Sequence, residues 1–196
     1  MKKLVMALLC LFAVPTMAFA DTYTVKSGDS MWKIAVKYQI GLREIIGANP
    51  QIKNPSLIYP GQSLNIPNID SVKTVEREVI RLCNIERQKA GLAPLTENWE
   101  LSRVARDKSM DMAQKNYFSH TSPTYGSPFD MMKAYGISYR SAGENIAKGQ
   151  TTAQQVVNSW MNSSGHRANI LSSSFTQIGV GYYATGHHWT QMFISK

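Results

Sequence analysis

Few side chains in the C-terminal two thirds of this chain can do chemistry. His120 closes the stretch NYFSH, Glu144 sits in AGEN between Gly143 and Asn145, and His166 follows Gly165 in WMNSSGHRANIL. Two imidazoles and a carboxylate can hold a divalent metal such as zinc with one position left for water. A metal of that kind lowers the pKa of its water enough for hydrolysis near neutral pH. Without metal, Glu144 can hydrogen-bond one imidazole, raise its pKa and create a pair capable of proton transfer. The same groups can equally tie loops together as a buried polar network. Separations of 24 and 22 residues exclude the helix-borne HExxH zinc pattern, so either chemistry requires convergence in space. Ser163 and Ser164 flank His166 without the G-x-S-x-G setting of an activated serine. Cys83 falls on an apolar helical face and reads as core. His187 and His188 abut a turn and are expected to be exposed.

These side chains need elements to hold them. Val72, Val75, Val79, Leu82 and Cys83 recur on one helical face that ends near Gly91. Residues 99–115 turn Leu101, Val104, Ala105 and Met112 inward, and Ser127-Pro128-Phe129-Asp130 supplies an N-cap, a first-turn proline and a capping-box acid before Gly136 closes that helix. Residues 152–163 form the fourth helix, and Gly165 then stops it, placing His166 just past a helix end. The period next changes to two: residues 177–183 and 188–194 alternate as strands across Thr185-Gly186, with Asn145-Ile146-Ala147 as a candidate third. Four helices with a small antiparallel sheet predict an α+β domain over residues 72–196.

Residues 21–67 follow another plan. TYTV alternates as a strand, SGD gives turn and helix-start signals, and Met31, Ile34, Ala35 and Tyr38 recur at helical spacing. A second helix carries Leu42, Ile45 and Ile46, and the turn-rich NPQIKNPSLIYPG leads to a strand at SLNI. This βααβ order in about 45 residues lies near the lower limit for an independent core. Residues 68–71 make a short polar linker with a proline before it and no Gly/Ser tract, which keeps the two domains close.

At the N-terminus, Lys2 and Lys3 precede an apolar run from Leu4 to Val14 and the small-x-small triplet Ala18-Phe19-Ala20, so residues 1–20 read as a signal peptide. The run is short for a membrane span and no second candidate follows, so no transmembrane segment is expected after cleavage. Cleavage also leaves Cys83 as the sole cysteine, and the fold must rest on its core and not on a disulfide. The formal charge of +8 becomes +6 without Lys2 and Lys3. The excess is scattered, five basic against three acidic residues over 21–67 and fourteen against ten over 68–196. No cationic run interleaved with aromatics appears, which argues against a nucleic-acid reader and leaves two readings, mild attraction to an anionic wall polymer or a solvated basic surface with no partner.

With YTVKSGDSMWKIA at its start, NP after the second helix and IYPGQSLNIP at its close, the first domain resembles a LysM module over its full length. The resemblance implies binding of N-acetylglucosamine polymers such as peptidoglycan or chitin in a shallow groove. One wall would be Gly28, Asp29, Ser30 and Met31, and the other Asn49, Pro50, Gln51, Ile52, Leu57, Ile58 and Tyr59. Through NYFSHTSP, AGENIAKG, WMNSSGHRANIL, FTQIGVGYY and WTQMF, residues 72–196 resemble the bacterial branch of the CAP superfamily, the SCP-like, cysteine-rich secretory and pathogenesis-related proteins. That likeness implies an α-β-α sandwich whose central cleft gathers two histidines and two glutamates. His120, Glu144 and His166 match three of these, and the second glutamate position falls at Ser163. The expectation is an exported, wall-associated protein that binds peptidoglycan through its first domain and presents a His/Glu cleft to an unknown ligand. The alternatives are a metal-dependent wall hydrolase using His120, Glu144 and His166, and, from similarity to spore-former sequences, a structural component of a spore envelope.

Overall fold

The computed structural model describes residues 19–196, so the expected leader lies outside the described residues except for its last two positions. Strand β1 (Phe19–Thr24) pairs antiparallel with β2 (Ser63–Pro67), with Tyr23 opposite Leu64. Helices α1 (Met31–Tyr38) and α2 (Leu42–Gly47) lie between them in sequence. Ser30 starts α1 by accepting from the Lys33 amide, and Gln39 in the left-handed region ends it. Met31, Ile34, Ala35, Ile45, Leu64 and Ile66 fill the small core, on the helical and strand periods that the sequence displays.

The second domain runs α3 (Asp70–Lys89), β3 (Thr96–Glu97), α4 (Trp99–Gln114), α5 (Pro128–Ala134), β4 (Ser141–Lys148), α6 (Ala153–Met161), α7 (Ser164–Ile170), β5 (Gln177–Tyr183) and β6 (His188–Ser195). Its sheet has the order β3-β5-β6-β4, with β3 parallel to β5 and the other pairs antiparallel. Two cores flank the sheet. One joins α3, α6 and α7 to Ile178, Val180, Trp189 and Phe193; the other joins α4 and α5 to Met192 and Ile194. Central β6 is therefore buried on both faces from His188 to Ile194. This is the expected α+β sandwich. On β5, Gly179 and Gly181 let α4 press onto the sheet: a Cβ at Gly181 would lie 2.0 Å from the Arg106 amide nitrogen. Among the described residues no helix is long and apolar enough to cross a membrane.

Several local expectations are corrected. The fourth helix ends at Met161, and the chain restarts as α7 after the extended residue Ser163, so His166 lies inside a short helix and not beyond a stop. Gly165 keeps helical geometry there instead of terminating one. Helix α3 already begins at Asp70, within the stretch expected as linker, after Asn68 accepts the Asp70 amide. His188 is buried as the first residue of β6, its Nδ1 bonded to the Thr185 carbonyl, because the hairpin turn folds back over it. Cys83 is core as expected: Gln191 donates to its sulfur, and burial pushes the thiol up to about 12.

Charged side chains bridge the two domains. Arg106 of α4 donates from Nε to Glu44 of α2 at 2.7 Å and from Nη1 to Glu76 of α3 at 2.8 Å. Burial pushes the Glu76 carboxyl up to about 7, with Arg106 and the Tyr182 amide opposing the shift. Arg43 of α2 donates to the Tyr125 hydroxyl, and Lys73 of α3 to the Tyr38 carbonyl.

Candidate functional site

Strand β4 is an edge of the sheet, so groups from both flanking layers can meet around it. Glu144 lies opposite Met192 and thus projects into the α4 layer, while its neighbour Asn145 projects into the α7 layer. Asn145 uses its amide to hold the His166 carbonyl at 3.0 Å and the Gln191 side chain at 2.9 Å. Asn169 bonds the Glu144 carbonyl and the Asn145 side chain, which fixes α7 against the strand. Gly143 is required for this approach, since a Cβ there would fall 2.9 Å from the Phe175 ring and 3.2 Å from Asn169 Oδ1.

His120 reaches the same edge on a loop after α4 that the helix itself clamps. Lys108, 0 % exposed, donates to the carbonyls of Ser119 and His120, both at 2.8 Å, and to the Tyr117 hydroxyl. One turn on, Asp111 accepts from Tyr117, Ser122 and Thr124. The clamped loop places His120 Nδ1 2.7 Å from Glu144 Oε1. Glu144 is buried and its Oε2 has no protein partner, whereas the imidazole is half exposed.

Electrostatics separate the two histidines. The hydrogen bond to Glu144 raises His120 above the ordinary histidine value, while burial and Lys108 oppose it. Burial raises Glu144, and His120 and Lys108 act against that. Burial lowers His166, and the charge of His120 lowers it further. His120 and Glu144 are in direct contact, and α7 brings the backbone of His166 to the same β4 edge through its carbonyl bond with Asn145.

Among the described residues no group of three or more His, Cys, Asp or Glu side chains is disposed to hold a metal ion. His120 Nδ1 is engaged by Glu144 Oε1, while Glu144 Oε2 has no protein partner. What the arrangement offers is an oriented imidazole with its second nitrogen free of Glu144. Ser163, where the second carboxylate was expected, is the residue preceding α7 and makes no side-chain capping bond.

Sequence reasoning missed Lys108, Asn145 and Asn169. Lys108 had a visible signal, because it continues the inward stripe Leu101, Val104, Ala105 and Met112, where a lysine requires buried acceptors. In the first domain, Gly28 takes a φ of +83° and Asp29 accepts from the Tyr23 hydroxyl and the Lys26 amide, shaping one loop with Ser30. Pro50, Gln51, Leu57 and Tyr59 are exposed on the other loop, and Ile52 and Ile58 are half-buried against the core. Met31 and Asn49 are corrected from groove lining to interior. Met31 belongs to the core, and Asn49 ties α2 to β2 through the Ile45 and Asn65 carbonyls and the Asn65 amide.

The comparisons with known proteins fall on these same two halves. The profile of the cysteine-rich secretory protein family, CAP, matches residues 80–194, and that of the LysM domain matches residues 23–67. The uncharacterized protein YkwD of Bacillus subtilis is 63% identical over 126 residues, 64% of this chain and 49% of that one. The uncharacterized membrane protein YlbC of the same organism is 39% identical over 146 residues, 71% of this chain and 42% of that one. The chain thus spans about half the length or less of these curated relatives. Among solved structures, an extracellular protein containing an SCP domain from Bacillus anthracis superposes with a TM-score of 0.61 at 36% identity, covering 70% of this chain and 47% of that one.

Proposed function

The chain belongs to the cysteine-rich secretory protein family, CAP, with a LysM domain ahead of the CAP domain, and from that premise we propose an exported protein held on peptidoglycan by its first domain. The second domain presents the His120–Glu144–His166 cleft to a ligand of the wall. The observation that carries this reading is the LysM match over residues 23–67, with the loops around Gly28 and Tyr59 open to solvent. Leu57 and Tyr59, 51% and 55% exposed, supply apolar faces for sugar rings, while turn backbone offers amides and carbonyls to acetamido groups. The test is co-sedimentation of the mature full chain with insoluble peptidoglycan. Retention that soluble N-acetylglucosamine oligomers compete away supports the reading, and a chain that stays in the supernatant refutes it.

A second reading, hydrolysis, is favoured by one contact, the 2.7 Å pair of His120 and Glu144. Glu144 orients the imidazole, and His120 Nε2 serves as the general base on water once the proton on that nitrogen is lost. Wall fragments released by wild type and not by His120→Ala identify an enzyme. Equal release from both removes the hydrolase reading and leaves the binding one.

A further inference from the structure

Where the two domains meet they line an open cavity of about 370 Å³ to which none of His120, Glu144 and His166 contributes. LysM contributes Trp32 and Arg43 to it; the CAP domain contributes Arg103, Asp107, Tyr125 and Tyr135. The arginines are held in place. The Arg103 guanidinium carbon lies 4.4 Å from the centre of the Trp32 ring and 4.9 Å from that of Tyr135, so the cation is stacked between a residue of each domain. Its Nη2 donates to the Tyr135 carbonyl at 3.0 Å, whereas its Nε is buried without a partner. Arg43 spends one nitrogen on the Tyr125 hydroxyl, at 2.9 Å. Asp107 is the one acid lining the cavity, and the Tyr135 hydroxyl donates to it at 2.6 Å. Burial pushes Asp107 up to about 6, so it remains a carboxylate near neutral pH.

Two guanidiniums against a single carboxylate leave the cavity with a net positive charge, walled by aromatic rings. Such a chamber complements a small body with one negative charge, and the planar guanidinium matches a carboxylate in particular. A doubly charged phosphate would exceed that single excess charge and would gain nothing from the rings. We propose that the junction cavity binds the carboxylate end of a short peptide carried by the wall polymer whose glycan the LysM loops hold. The source of that peptide rests on the proposed attachment to peptidoglycan; the carboxylate site itself rests on the cavity alone. Because each domain supplies one wall, occupancy also favours the docked arrangement of the two domains.

The experiment is calorimetric titration of the mature full chain with acetyl-D-alanyl-D-alanine, its C-terminal amide, and inorganic phosphate. Saturable binding of the free acid is expected, weaker by about tenfold or more for the amide, which cannot form the charged bidentate contact. Arg43→Met keeps the aliphatic stem, and a similar loss of acid binding is expected, while the competition of peptidoglycan retention by soluble N-acetylglucosamine oligomers persists, since Arg43 lies outside the proposed glycan groove. The acid and amide comparison needs no variant and so stands even if Arg43→Met fails to fold. Absent acid binding, equal acid and amide binding, or phosphate binding as tight as the acid would each overturn the proposal. None of these results touches glycan retention, whose failure is read separately in the sedimentation assay.

Discussion

The two domains present candidate functional groups in opposite ways. The LysM loops are built from residues close in sequence, exposed, and shaped by turns, with Asp29 occupied by the local contacts of its own loop. The CAP cluster joins residues 46 positions apart on an edge strand, a clamped loop and a short helix, with a carboxylate taken almost wholly out of water. A groove of the first kind can lose a side chain without harm to the fold. A cluster of the second kind is part of the fold, so function and stability are coupled there.

Lys108 gives the largest expected contrast. Lys108→Met leaves three acceptors unpaired and removes the cation facing Glu144, and a loss of about 3 to 5 kcal/mol in denaturant unfolding is expected. A loss below about 1 kcal/mol would show that the clamp is ornamental. Glycines sharpen the same comparison. Gly181→Ala drives a methyl into the backbone of α4 and costs about 3 kcal/mol or more. Gly28→Ala has open space around it, and its cost of about 1 kcal/mol comes only from its positive φ. Equal effects in a thermal melt would erase the distinction between glycine for space and glycine for conformation.

The charged junction lies between these cases. Glu76, shifted up to about 7, binds its proton more tightly folded than unfolded, so its stabilisation is complete below about pH 4.5 and is lost as pH rises through about 7. The change amounts to about 3 kcal/mol at most. Glu76→Gln should flatten the stability profile between those limits, and an unchanged slope would assign it to other groups. Tyr59→Ala, at the exposed end of the series, should alter stability by less than about 0.5 kcal/mol while weakening peptidoglycan retention by about tenfold. Unaltered retention would remove Tyr59 from the groove.

Legibility followed the same divide. Helical spacing at Met31, Ile34 and Ala35, the capping box Ser127–Asp130 and the alternation of residues 177–183 are local signals, and the elements formed where these signals lay. What failed to show depended on tertiary contact. The two-residue β3 has no period to read and exists because β5 offers it an edge. Gly165 carries the mark of a helix stop, yet the chain re-enters a helix whose Asn169 finds partners on β4. His188 looked like a turn residue because nothing in its neighbours announces that the hairpin closes over it. Met31 and Asn49 misled for a similar reason, since a loop motif marks where a groove is but not which of its residues turn inward.

The convergence at the β4 edge is tested most directly by NMR titration of the four histidines in the full chain, with and without Glu144→Gln. His120 is predicted to titrate above, and His166 below, the ordinary histidine value of about 6.5. Removing the Glu144 charge should lower His120. Two imidazoles that titrate together near the ordinary value, indifferent to the substitution, would mean that these side chains do not share a site.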